Sequence, residues 1–136
     1  MTDKELIAAA EKMRDSAYAP YSGFTVGAAL LSKDGRVFTG CNIENAAYSA
    51  ANCAERTAFF KAVSEGALKF EKIAVATGPK GKPSEGGAPC GVCRQVMLEF
   101  CEPDFEIILV SDENSVSYTL EELIPHGFSP KDLNNV

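Results

Sequence analysis

The chain has 136 residues, 46% apolar and 24% charged, which are the proportions of an ordinary globular protein and exclude disorder, collagen-like repeats and coiled coil. That length holds one domain, residues 1–136, with a real core. A formal charge of −6 argues against a chain that grips long nucleic acid, because that grip relies on Lys and Arg displacing counterions from phosphates.

In chain order, Thr2-Asp3-Lys4-Glu5 has the form of a capping box, and Leu6, Ala10, Met13 and Ala17 recur at helical spacing toward Tyr18. Charges interleave throughout this segment, so no secretory signal or membrane span is expected and the expected location is the cytoplasm. Phe24 to Leu31 is apolar and partly β-branched, Asp34-Gly35 is a turn signal, and Val37 to Cys41 resumes the extended pattern, which reads as a β-hairpin. Asn52 is a suitable N-cap for a helix carrying Ala54, Ala58, Ala62 and Val63 that ends at Gly66. Lys72 to Thr77 reads as a short buried strand. The glycine- and proline-rich run 78–88 reads as a loop, expected to form a mobile rim. Pro89 opens a helix bearing Cys90, Cys93, Met97, Leu98 and Cys101, stopped by Pro103. Glu106 to Val110 is the clearest strand, Ser115 to Thr119 a weak edge strand, 120–123 a helical turn, and the segment after Pro125, with its glycine, proline and asparagines, an irregular tail. This alternation points to an α/β protein whose mixed sheet carries helices on its faces.

Five cysteines in a chain without a secretion signal are expected as thiols, so metal ligation or burial must account for them. Cys90-Gly91-Val92-Cys93 is by itself open to three readings: a zinc half-site, a redox dithiol or two buried thiols. Cys53 starts its own helix, and two helix N-termini that converge on one sheet would gather three thiolates. Three protein ligands leave a tetrahedral zinc one position for water, which is the catalytic pattern, whereas structural zinc sites close with four. Cys101 lies eight residues beyond Cys93, about 12 Å along an ideal helix, and reads as core packing. Cys41 reads as a small buried thiol and His126 as a solvated tail residue without a role.

Glu55, two residues past Cys53, is the expected proton carrier beside that water. Its competing reading is a capping glutamate for Asn52, and residues two apart on a helix diverge by about 200°, so Cys53 must sit at the entry turn. Three thiolates leave the zinc site with a charge of minus one, which opposes hydroxide formation. A cation that donates to a ligating sulfur would offset this, and Arg56, three on from Cys53, is the expected donor, while Arg94 is left open between that task and an ordinary surface position.

Cys53-Ala54-Glu55 followed by Pro89-Cys90-Gly91-Val92-Cys93 resembles the signature of the zinc-dependent nucleoside and nucleotide deaminases. NIENAAYSAANCAERTA and PCGVCRQ are similar to the compact three-cysteine cytidine deaminases in particular, and the likeness extends over almost the whole chain. The resemblance implies a three-layer α/β/α fold with a mixed, roughly five-stranded sheet, one zinc ion per subunit, and hydrolysis of cytidine and 2′-deoxycytidine in pyrimidine salvage. It further implies a homotetramer with composite sites. Asn42 and Glu44 would bind the ribose hydroxyl, Phe24 and Phe128 would flank the base, Tyr48 would contact ligand across a subunit interface, and Ala54 would join the substrate-binding set. From the residues themselves, Glu44 suits a free sugar hydroxyl and would repel a phosphate, which favours nucleosides over nucleotides.

Overall fold

The computed structural model describes residues 1–133; residues 134–136, the end of the expected irregular tail, lie outside the described part. The apolar runs form five strands: β1 (Phe24–Ser32), β2 (Val37–Cys41), β3 (Phe70–Pro79), β4 (Glu106–Val110) and β5 (Val116–Thr119). They lie side by side in the order β2-β1-β3-β4-β5. β3 and β4 run parallel and the other neighbouring pairs antiparallel, so the sheet is mixed as expected.

Alternate residues of the central strands enter two separate cores, because successive strand side chains point to opposite faces. Ala28, Leu30, Ile73, Val75, Ile107 and Leu109 pack with helices α2 (Ala54–Ser64) and α3 (Gly91–Phe100). Ala29, Leu31, Ala74, Ala76, Ile108 and Val110 pack with Leu6 and Ala10 of helix α1 (Asp3–Met13). A sheet covered on both faces explains why β1, β3 and β4 read as unbroken apolar runs without polar alternation. The result is three layers, α/β/α.

Two glycines let helices rest directly on strand backbone. A Cβ at Gly27 would lie 2.0 Å from the Ala10 carbonyl oxygen of α1, and one at Gly40 would lie 2.4 Å from the Ala54 carbonyl oxygen and 2.6 Å from the Ala58 nitrogen of α2.

Several boundaries differ from the sequence expectation. α1 is capped by Thr2 but stops at Met13, followed by a 3-10 turn at Arg14–Ser16, because the Arg14 side chain is drawn inward. Its guanidinium donates to Thr25 Oγ1 (3.1 Å), Ser84 Oγ (3.1 Å) and the Pro79 carbonyl (2.9 Å). β3 runs to Pro79 because it pairs with β1 as far as Phe24. Asn52 does not cap α2: it is held extended by reciprocal backbone hydrogen bonds with Ile43, and the cap is Cys53.

The glycine-rich run is pinned along its length. Lys80 N–H donates to the Gly23 carbonyl, Glu85 N–H to Thr77, Gly86 N–H to Val110 and Gly87 N–H to Thr77 Oγ1. Ser84 is buried and donates to the Glu11 carboxylate. The rim expected to move is bonded to β3, to β4, to Gly23 just ahead of β1 and to α1.

Candidate active site

α2 and α3 lie on the same face of the sheet, and the cysteine that precedes each first helical residue, Cys53 and Cys90, is its N-cap. Neither side chain makes a capping hydrogen bond, so both thiols are free to point elsewhere. Cys53 Sγ lies 3.8 Å from Cys90 Sγ, and Cys90 Sγ lies 3.5 Å from Cys93 Sγ. All three sulfurs fall within 4.8 Å of one another, and they form the only such group of three potential ligands among the described residues. A tetrahedral zinc with sulfurs at ~2.3 Å would hold them ~3.8 Å apart, so the trio is spaced for that ion. β3, α3 and β4 make a crossover unit that puts the α3 N-terminus at the carboxyl end of β3, the usual site end of an open α/β sheet.

The extended conformation of Cys53 (φ −79°, ψ 157°) removes the helical-period objection to Glu55, since only Glu55 is inside the helix. Glu55 is 4% exposed, so the capping reading fails: a capping glutamate would sit in solvent, and Asn52 is not the cap. Burial first, and then the negative charge of Cys53, push its carboxyl up to about 7. Arg56 Nη2 donates to Cys53 Sγ at 3.4 Å, as the charge argument expects. Cys53 is held down at about 5, chiefly by the hydrogen bond from Cys93 and then by Arg56, against a burial effect in the other direction. The Cys93 thiol is raised by its bond to Cys53 and by burial, so without metal it keeps a proton that zinc would displace. Arg94 faces away: Nε donates to the Pro89 carbonyl (2.8 Å) and Nη1 to the Leu123 carbonyl (2.6 Å), which makes it a brace between α3 and α4 (Leu120–Leu123).

Cys53 and Cys90 line a cavity of about 500 Å³, with Cys93 buried behind them, and its lining also includes Phe24, Asn42, Glu44, Tyr48, Glu55 and Arg56. Asn42 is held at the strand edge, accepting from Val26 N–H (2.8 Å) and donating to the Phe24 carbonyl (2.9 Å), which leaves one amide N–H and one oxygen lone pair uncommitted. Glu44 accepts from the N–H groups of Tyr21 (2.9 Å) and Ser22 (3.2 Å) and from the Ser22 hydroxyl, and these bonds lower its pKa, the hydroxyl foremost. Ala54 is fully buried at the start of α2. Phe128 is 59% exposed and does not line this cavity; its carbonyl accepts from Gln95 Nε2. Cys41 is buried with its thiol on the Ser16 carbonyl, and Cys101 is largely buried at the end of α3; neither joins the trio. Thr77 and Gly87, which also line the cavity, were not singled out by sequence. A Cβ on Gly87 would lie 2.6 Å from Thr77 Oγ1, and the glycine in an otherwise loop-like run gives no sign of that approach.

Residues 1–109 match the model of the cytidine and deoxycytidylate deaminase zinc-binding region. The chain belongs to the cytidine and deoxycytidylate deaminase family. It is 49% identical to the cytidine deaminase of Sporosarcina psychrophila over 98% of this chain and 96% of that one, and 48% identical to that of Halalkalibacterium halodurans over 99% and 100%. The crystal structure of cytidine deaminase from Burkholderia pseudomallei superposes with a TM-score of 0.85 at 46% identity, covering 94% of this chain and 100% of that one. The matched region contains all three clustered cysteines and Glu55, and as a deaminase family member the chain is a zinc-binding hydrolase. None of its described helices is long and apolar enough to cross a membrane.

Proposed function

We propose that the chain acts on cytidine and 2′-deoxycytidine, converting them by hydrolysis to uridine and 2′-deoxyuridine with release of ammonia. The observation that carries this reading is one buried carboxyl group, Glu55, lining the same cavity as Cys53 and Cys90, whose thiols converge with that of the buried Cys93 and have no fourth protein ligand among the described residues. Cys53, Cys90 and Cys93 would hold zinc, whose Lewis acidity brings the pKa of a water toward neutrality.

Glu55 does the proton work. Its carboxylate accepts a proton from the attacking water and places it on N3 of cytosine, which makes C4 more electrophilic. The water oxygen bonds to C4. Glu55 then transfers the second water proton to the exocyclic nitrogen, the C4–N bond breaks, and ammonia leaves a C4 carbonyl behind. A buried carboxyl group suits both halves of this cycle, because burial lifts it from the ordinary carboxylate range and so lowers the cost of its taking up and returning a proton. Arg56 draws electron density from Cys53 and offsets the excess negative charge of three thiolates.

Around that centre Asn42 and Glu44 would read the ribose hydroxyl and Phe24 would pack against the base. Tyr48, 78% exposed, and Phe128, exposed and outside its own cavity, suit a homotetramer in which neighbouring copies complete each site. Ala54, the first residue of α2, would offer its backbone to the base. Residues 1–136 would act as one catalytic domain in the cytoplasm, in nucleoside salvage, with a net charge of −6 that does not favour nucleic acid.

The test is zinc analysis of the purified protein with a steady-state deamination assay, repeated on Glu55→Gln. The variant is expected to keep one zinc per chain and its fold while kcat falls by at least about 10²-fold. Unchanged turnover would remove the basis of the mechanism, and activity confined to compounds other than the two cytosine nucleosides would overturn the substrate.

A further inference from the structure

The segment 18–24 folds over 42–44, held by backbone bonds from Tyr18 N–H to Asn42 and from Glu44 N–H to Tyr18. At its tip one hydroxyl makes two connections. Ser22 Oγ donates to Glu44 Oε2 and accepts from the N–H of Phe24 (3.0 Å). Glu44 and Phe24 both line the cavity, on the walls expected to meet sugar and base respectively. A carboxylate offers about four acceptor positions, and three of those on Glu44 are taken by Tyr21 N–H, Ser22 N–H and the Ser22 hydroxyl. The free capacity is therefore about one hydrogen bond, enough for one hydroxyl donor, and its direction is fixed by the three bonds already made.

We propose that Ser22 is a positioning residue for the sugar: its hydroxyl orients Glu44 and fixes the Phe24 backbone together, so that reading the ribose hydroxyl depends on it. This rests on the proposed role of Glu44 as the sugar-hydroxyl acceptor. Without the Ser22 hydroxyl the carboxylate can rotate, its spare acceptor position is no longer aimed, and the Phe24 N–H loses its partner. The reacting groups Glu55 and the three cysteines make no contact with Ser22, so the effect should fall on substrate binding and on sugar discrimination.

The test compares cytidine with 2′,3′-dideoxycytidine in the wild type, S22A and S22T, with zinc content and thermal melts recorded for each. The wild type is expected to prefer cytidine in kcat/KM by at least about 10²-fold, the cost of leaving a built acceptor unpaired. S22A is expected to raise KM for cytidine about tenfold, hold kcat within about threefold and cut the preference for the hydroxylated sugar about tenfold, as loss of one charge-assisted hydrogen bond implies. S22T, which keeps the hydroxyl, should restore the preference. A wild type indifferent to the sugar hydroxyls would sink the role given to Glu44. A discriminating wild type with an equally discriminating S22A would sink the Ser22 proposal alone, as would an S22A protein that loses zinc, since that would mark Ser22 as a support of the metal site.

Discussion

Gly40→Ala places a methyl group where the backbone of α2 already lies. The added Cβ would meet the Ala54 carbonyl oxygen at 2.4 Å, the Ala58 nitrogen at 2.6 Å and Thr57 Cβ at 3.1 Å. Ordinary contact distances are about 1 Å longer, and the atoms in the way are mostly helix backbone, which cannot swing aside as a long side chain would. α2 must therefore lift from β2 at its first turn, the turn that carries Cys53 and Glu55. Zinc–ligand distances tolerate about 0.2 Å, and a displacement of about 1 Å in a reacting group costs about 10²-fold in rate. The expected outcome is a loss of about 1–3 kcal/mol in stability together with a larger, separate loss of zinc affinity and of kcat. Gly27→Ala is the matched control: its Cβ would strike Ala10 O at 2.0 Å and Arg14 N at 2.8 Å, an equal or worse clash, but on α1, which bears no site residue. Urea unfolding, zinc titration and kcat measured on both variants separate overpacking from site displacement. A Gly40→Ala protein that bound zinc and turned over like the wild type, while Gly27→Ala was destabilised as expected, would refute the claim that this glycine sets the position of the site.

Glu55 gives a second prediction, for the zinc-free protein. Its folded pKa of about 7 lies above the unfolded value of 4.5, so its contribution to stability is fully present below pH 4.5 and is lost as pH rises through 7. Relative to wild type, zinc-free Glu55→Gln should therefore gain about 3 kcal/mol between pH 4 and pH 8, read by urea unfolding at each pH; a difference that does not vary with pH would contradict the buried, uncompensated carboxylate. Arg14→Ala should cost about 3 kcal/mol, because it removes three hydrogen bonds, to the Thr25 and Ser84 hydroxyls and the Pro79 carbonyl, and empties the buried space of the guanidinium, yet leave kcat of the folded enzyme within a few-fold. A mild effect on urea unfolding would show that the glycine-rich run does not depend on this clip.

The chemistry was legible in the sequence because it depends on residue types at short spacing. Cys90 and Cys93 are three apart at a helix start that Pro89 announces, Cys53 and Glu55 flank a second helix start, and Arg56 follows within one turn. The sheet was legible too, since strands buried on both faces need unbroken apolar runs. What local spacing could not supply was competition for backbone partners. Asn52 has the chemistry of an N-cap, but pairing with Ile43 holds it extended and passes the cap to Cys53. The run 78–88 has the composition of a mobile loop, but Arg14 and Val110, both distant in sequence, hold it down together with Thr77 at its start.

By itself, then, the sequence pointed to the donor sulfurs, to Glu55 as the candidate proton carrier and to an α/β architecture with helices on both faces of a mixed sheet, through side-chain identity and periodicity. Only the tertiary structure decided that the sulfurs converge to within 4.8 Å, that Arg56 faces them while Arg94 braces α4, and that Gly40 sets the height of α2 above the sheet. Those are distances between segments far apart in the chain, and they are fixed by packing, where a shift of one methyl group is felt at the metal.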